Sequence, residues 1–310
     1  MYKEDSQPLQ RVCPVCDQDN ADLFWTKGEM RLVKCRECSI VFANPVAREF
    51  ASGSFYQRLA KPFYLSAEKL QSDYAAVRFE RELRVFRSFC ASGHLLDVGC
   101  STGGFLYQLG ARWPGQYEAL GTDIAVDALK YAESQGVRVL RESFLDCEPG
   151  QGRFDAISFW AVLEHLIAPG KFLAQAAELL KPGGHCFILV PNFQSLAVRL
   201  LGARYRYVMA EHVNYFTKKT LLAFASREPR LKPVKLTSSH FNPVILWQDW
   251  KKAREKVPDE ERARLLKRTT EWKQKPALGP VRVVYGLAER TLGWFKLADN
   301  LVLVLRRKAS

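Results

Sequence analysis

The chain has 310 residues, 47% of them hydrophobic, enough to bury one large core with a small satellite; this excludes a disordered tail, a collagen-like fibre and a lone mini-domain. Its formal charge of +13 is unevenly placed: residues 1–50 sum to −1, 51–93 to +3, 94–190 to −4 and 191–310 to +15. Attraction for nucleic acid, an anionic membrane or an anionic small molecule therefore has to rest on the last third.

The chain starts polar and acidic (Lys3, Glu4, Asp5) and shows no run of ~18 apolar residues, so neither a signal peptide nor a membrane span is expected. Cys13-Pro14-Val15-Cys16 and Cys35-Arg36-Glu37-Cys38 enclose eighteen residues. Two such knuckles joined by a hairpin set four thiolates around one tetrahedral ion. Cys13, Cys16, Cys35 and Cys38 are thus expected to hold a structural zinc with no position open to water, redox pairs being the alternative reading. Cys90, Cys100, Cys147 and Cys186 are scattered, a usage that fits a reducing compartment and a cytoplasmic location. A near-neutral ribbon lacks the basic excess that phosphate contacts need, so nucleic acid is not an expected partner.

An aromatic connector (Phe55, Tyr56, Phe63, Tyr64) precedes Phe79, Leu83, Phe86 and Cys90, which recur at helical spacing and predict a docking helix. Residues 94–98 read as a buried strand and Gly99-Cys100-Ser101-Thr102-Gly103-Gly104 as a tight turn into a helix. A second strand, residues 117–122, ends in Asp123, and a helix is expected around residues 128–134. Strand, glycine turn, helix, strand and acid form a nucleotide-binding unit whose terminal carboxylate can accept ribose hydroxyls. Asp97, placed before the first glycine, would repel a pyrophosphate and suits a cationic ligand bearing an ammonium group.

Further strands are expected at residues 137–140, 154–159 and 187–190; Leu180-Lys181-Pro182-Gly183-Gly184 reads as the turn before the last of these. Together with Ser143-Phe144 and the Trp160-Ala161-Val162-Leu163-Glu164-His165-Leu166 segment, the ordered set resembles the class I S-adenosylmethionine-dependent methyltransferases from about residue 95 to 216, and again at residues 299–308. That resemblance implies an α/β fold: a Rossmann-like seven-stranded sheet carrying an N-terminal zinc ribbon and a helical insertion before the last strand. It implies S-adenosylmethionine as cofactor, contacted by Asp97, Gly99, Cys100 and Gly103 at the turn, Asp123 and Ile124 after the second strand, Ser143 and Phe144, and Trp160. Within the turn Cys100 reads as a small buried filler.

After the fifth strand comes an Arg- and Tyr-rich loop and then Glu211-His212-Val213-Asn214-Tyr215-Phe216. Both this loop and the Trp160 to His165 segment should lie beyond the carboxyl ends of the strands, where such sheets bind ligands. His212 and His165 are the base candidates, Glu211 a group to orient an imidazole or contact substrate, and Tyr215 a pocket wall. Glu-His followed by Tyr-Phe resembles the zinc-ribbon sugar C-methyltransferases. The chain departs from them in carrying Met209 where they have tyrosine, and it has no room for their large C-terminal domain.

A helix at residues 219–226, a sixth strand near 233–238 and a seventh at 300–305 should complete the sheet. Between the last two strands, residues 251–275 carry ten basic and five acidic side chains, and Val281, Val284, Tyr285, Ala288, Leu292 and Phe295 form an apolar helical stripe. Core packing, a homodimer contact and peripheral contact with an anionic membrane are its three readings. The expected division is a ribbon at 1–50, a connector at 51–93, the cofactor domain at 94–240, a basic helical insertion at 241–297 and the final strand at 298–310. The expected activity is methyl transfer to a hydroxyl or carbon of a small, anionic acceptor such as a sugar or nucleotide-linked sugar, by a monomer or homodimer. RNA methylation, methylation of a lipid-linked acceptor at a membrane surface and a non-catalytic binding role are the competing readings.

Overall fold

The computed structural model describes residues 7–148, 153–251, 257–274 and 279–309. In chain order its strands are β1 (Ala21–Lys27), β2 (Met30–Cys35), β3 (Val41–Ala43), β4 (Gly93–Val98), β5 (Tyr117–Thr122), β6 (Arg138–Val139), β7 (Phe154–Trp160), β8 (Leu180–Pro191), β9 (Asn214–Tyr215), β10 (Leu231–Ser239) and β11 (Asn300–Arg307). Seven of them form the main sheet in the order β6-β5-β4-β7-β8-β11-β10. The first five in that order run parallel, while β11 lies antiparallel to β8 and β10 antiparallel to β11. The expected fold class is therefore the one observed.

Burial on both faces explains the sequence of these strands. Leu95, Leu96 and Val98 in β4, Ala156, Ile157 and Phe159 in β7, and Phe187 to Val190 in β8 are all buried, leaving no polar face to alternate. From β4 the chain winds outward through β5 and β6, then returns to β7 on the other side of β4. That reversal opens a crevice beyond the carboxyl ends of β4 and β7, where Gly99 and Ala161 begin their turns. The docking helix forms at Glu80–Arg87, and Leu83 and Phe86 are fully buried, with the Phe86 ring 4.8 Å from Phe187.

Two expectations need correction. The fifth strand starts at Leu180 rather than at 187, so Lys181 to Gly184 belong to β8 instead of forming a turn. They fit because the pairing with β7 jumps from Leu180 to His185, with Gly183 at φ 80° inside the bulge. The apolar stripe before β11 is not continuous: in the helix Gly279–Trp294, Ala288 is exposed while Glu289 is buried and ion-paired with Arg81. Phe295, just beyond that helix, is 68% exposed and Trp294 is 83% exposed. Val281 and Val284 lie outside the residues whose side chains are described. No helix among the described residues is long and apolar enough to cross a membrane.

β1, β2 and β3 form the ribbon sheet, and β9, from the loop after β8, pairs antiparallel with β3 as its fourth strand. Val15, Ile40 and Phe42 of the ribbon share one core with Phe216, Leu221 and Phe224. The ribbon is thus welded to the segment that carries Glu211 and His212. Opposite it, the helix Asp259–Gln274 packs on the helix Ala67–Asp73, joined by a 2.8 Å hydrogen bond between the Ser72 and Thr270 hydroxyls.

Candidate active site

A cleft of about 1460 Å³ opens over the crevice. Gly99, Cys100, Asp123, Ile124, Ser143, Phe144 and Trp160 are part of its wall at one end, and Glu164, His165, Glu211 and His212 at the other. Asp97, Gly103 and Tyr215 are not on that wall. Ten of the thirteen catalytic and cofactor candidates thus line the cleft, and three lie behind it.

At the cofactor end, Gly99 has φ 72°, and a Cβ there would stand 2.6 Å from Val162 Cγ2, so only glycine lets the turn pass. Gly103, at φ 79°, starts the helix Gly104–Arg112, and its missing side chain makes room for Ala132 and Val137. It serves helix packing and does not line the cleft. Cys100 is buried against Gly121 as a filler, its thiol pushed up by burial.

The two carboxylates at the strand tips differ. Asp123 accepts the Ser101 amide at 2.7 Å on one oxygen and the Ala125 amide at 2.7 Å on the other. A carboxylate has about four acceptor sites, so both oxygens keep capacity for a ribose diol. Asp97 is 3% exposed, accepts the Ser158 hydroxyl at 2.6 Å, and its carboxyl is pushed up to about 7 by burial. On the same side the Trp160 indole N–H is buried with no hydrogen-bond partner. A ligand offering a diol, an ammonium and an acceptor for a ring N–H fits this half of the cleft.

At the other end the two histidines meet, with ring centroids 4.8 Å apart. His165 Nδ1 lies 2.7 Å from the Glu211 carbonyl and His212 Nδ1 lies 2.9 Å from the Tyr207 carbonyl. A carbonyl oxygen only accepts, so both Nδ1 atoms carry the proton and both Nε2 atoms present a lone pair. Burial lowers both imidazoles from their ordinary pKa, His212 well below it. Glu211 orients His165 through its backbone carbonyl; its carboxylate is bound to Arg262 at 2.9 Å, so of the two roles expected of that side chain, orienting the His212 imidazole or contacting substrate, the first is not what it does here. Tyr215 is a correction of the same kind: buried in the ribbon sheet, it donates its hydroxyl to the Met209 carbonyl at 2.9 Å and walls no part of the cleft.

Three residues that sequence reasoning passed over complete the site. Glu164 is 1% exposed, neither carboxylate oxygen has a partner, and burial pushes its carboxyl up to about 8. Arg11, in the ribbon, donates to the Ile167 carbonyl at 2.9 Å, the Val213 carbonyl at 3.3 Å and Asn214 Oδ1 at 2.8 Å. Asn214 in turn donates to the Leu163 and Leu166 carbonyls at 2.8 and 2.7 Å, and the Val213 amide donates to the Glu164 carbonyl at 2.8 Å. These bonds lock the Glu164-His165 turn against the His212 loop. Only the pairing of Glu164 with His165 in one motif hinted at this.

The expected attraction for anions meets a physical limit here. Lys69 and Arg78 share Asp73, Arg206 pairs with Asp249 and Arg262 with Glu211, so most of the positive charge of these four residues is already answered by carboxylates.

Residues 68–227 match the family described as a methyltransferase domain. The chain is 28% identical over 169 residues to a ubiquinone biosynthesis O-methyltransferase from Ralstonia nicotianae, covering 50% of this chain and 69% of that protein. It is 31% identical over 173 residues to one from Thiobacillus denitrificans, covering 51% and 72%. Among solved structures, an S-adenosylmethionine-dependent methyltransferase from Thermotoga maritima superposes with a TM-score of 0.53 over 82% of this chain and 99% of that one; at 14% identity this speaks to the fold alone. With the family match spanning just over half its length on a sheet of this order, the chain belongs to the class I S-adenosylmethionine-dependent methyltransferases.

Proposed function

We propose that this enzyme methylates a hydroxyl oxygen of a small molecule. The observation that carries the reading is the cluster of Glu164, His165 and His212 facing the cleft beside the cofactor turn. S-adenosylmethionine, when bound, supplies an electrophilic methyl group; Gly99, Asp123 and Trp160 are the residues that would hold it. The protein's own share is orientation and removal of the acceptor proton, which a hydroxyl requires and an amine nucleophile does not. Two imidazoles with free Nε2 lone pairs suit that demand. The O-methyltransferase names of the relatives run in the same direction.

Phe55, Tyr56, Phe63, Tyr64 and Tyr207 line the acceptor side, a surface that suits the flat face of a sugar or phenol ring. The sugar reading draws further support from the ribbon and the Glu211-His212 motif. In the ribbon, Sγ–Sγ distances of 3.4 Å for Cys13–Cys38 and 3.5 Å for Cys16–Cys35 approach the edge of about 3.8 Å expected of a tetrahedron with 2.3 Å zinc–sulfur bonds, which supports one structural zinc.

The test offers deuterated-methyl S-adenosylmethionine with sugar nucleotides, catechols and total RNA in separate reactions, read by mass spectrometry. Label recovered as a methyl ether on a sugar or phenol supports the reading; label confined to RNA, or to carbon or nitrogen, contradicts it.

A further inference from the structure

The Glu164 carboxyl is fully enclosed, neither of its oxygens has a hydrogen-bond partner, and it stands beside two imidazoles, with His165 Nε2 4.0 Å from Oε1. An unpaired buried carboxylate is costly, and neither neighbouring ring can satisfy it, because each has committed its only N–H to a backbone carbonyl. One ligand atom from each of Glu164, His165 and His212 lies within 4.8 Å of the others. From these juxtaposed groups we infer a second metal site, distinct from the cysteine cluster, in which Glu164, His165 and His212 bind one divalent transition-metal ion at the acceptor end of the cleft.

The donor set is chemically coherent. Two imidazole nitrogens and one carboxylate oxygen select zinc, iron(II), cobalt(II) or manganese(II) over calcium or magnesium. Metal-binding histidines characteristically give their other N–H to a carbonyl or carboxylate, which fixes tautomer and ring plane; here the Glu211 and Tyr207 carbonyls do so. Bonds of about 2.0–2.2 Å place donors about 3.3 Å apart, so the three side chains need only draw inward by side-chain rotation. Three protein donors leave positions open toward the cleft. With the ion bound the imidazole lone pairs would be taken, so the ion would replace an imidazole as the group that promotes loss of the acceptor proton, which would pass to solvent; the resulting alkoxide would balance the single positive charge left over from a divalent ion and one carboxylate.

The inference rests on the O-methylation reading only for what the ion does, not for whether it binds. Full-length protein with its cysteine site already filled by zinc is therefore titrated with cobalt(II) alone, without cofactor or acceptor. Expected are two metal ions per chain after gel filtration, the second showing weak d–d absorption and no sulfur charge-transfer band. Glu164→Gln and His165→Gln should each weaken uptake of the second ion at least about 100-fold. His165 is only half-buried, so His165→Gln carries the comparison if Glu164→Gln does not fold. One ion per chain in the wild type overturns the site, as does undiminished uptake by folded variants. A negative result leaves methyl transfer standing, and absence of methyl transfer leaves the metal site standing.

Discussion

Asp123 and Asp97 are both buried carboxylates at strand tips, yet their surroundings assign them different work. Asp123 is held by two backbone amides, so Asp123→Ala orphans buried N–H groups and lowers stability as well as affinity. Asp123→Asn is the cleaner probe: calorimetry should show cofactor binding weakened by about 1.5–3 kcal/mol, the worth of hydrogen bonds to a charged group. Burial, in contrast, pushes the Asp97 carboxyl up to about 7 in the folded chain, against about 3.9 when unfolded. Between those values the cofactor-free fold retains a proton that the unfolded chain has released. This contribution to stability is complete below about pH 4 and is lost as pH rises through about 7. The melting temperature of the wild type relative to Asp97→Asn should accordingly fall across that interval; a constant difference would contradict the assignment. For the histidines, His212→Ala should lower kcat by about 10²–10⁴-fold with cofactor affinity unchanged. A rise in KM alone would make His212 a binding group. The motif named these side chains, but it could not show that Glu164 is buried. That depends on the turn after β7 folding inward beneath Val213, a contact made by residues far apart in sequence.

At the scale of elements the ribbon is the instructive case. Its two cysteine pairs were legible from spacing alone because metal geometry demands local knuckles. Its fourth strand was not: β9 is two residues long and pairs with a strand more than 170 residues away, so no local periodicity announces it. The ribbon consequently does more than enclose an ion. Cys35→Ser should lose zinc and unfold the ribbon, since metal binding and ribbon folding are one equilibrium. Turnover should collapse with it, because Arg11 and β3 hold the Glu164-His165 and His212 segments, while the cofactor end keeps its own core. Arg11→Leu separates the two effects: the cysteine-bound zinc should be retained, as metal analysis beside Cys35→Ser shows, while kcat falls at least tenfold. Loss of zinc in Arg11→Leu, or full activity in Cys35→Ser, would break the proposed link. β8 teaches the converse lesson, since Lys181-Pro182-Gly183-Gly184 carries every local mark of a turn and is carried into the strand as a bulge between its pairings with β7.

At the scale of the molecule, the sheet was readable because the central strands are predominantly apolar segments between turn residues, and β5 falls at residues 117–122 as expected. The cleft was less so. Its far wall joins the connector helix Ala67–Asp73 to the insertion helix Asp259–Gln274, and several of its cations are paired with carboxylates that composition alone counts separately. A basic last third therefore does not make a basic cleft. The central claim is methyl transfer to a hydroxyl at the Glu164, His165 and His212 cluster. The most direct test is transfer of a deuterated methyl group from S-adenosylmethionine by the wild type and by His212→Ala, with the product bond located by mass spectrometry. The account predicts a methyl ether on a small ring-bearing acceptor, formed by the wild type and reduced at least about 100-fold in the variant at equal cofactor occupancy. An ether formed equally by both proteins, or label found only in RNA, would contradict it.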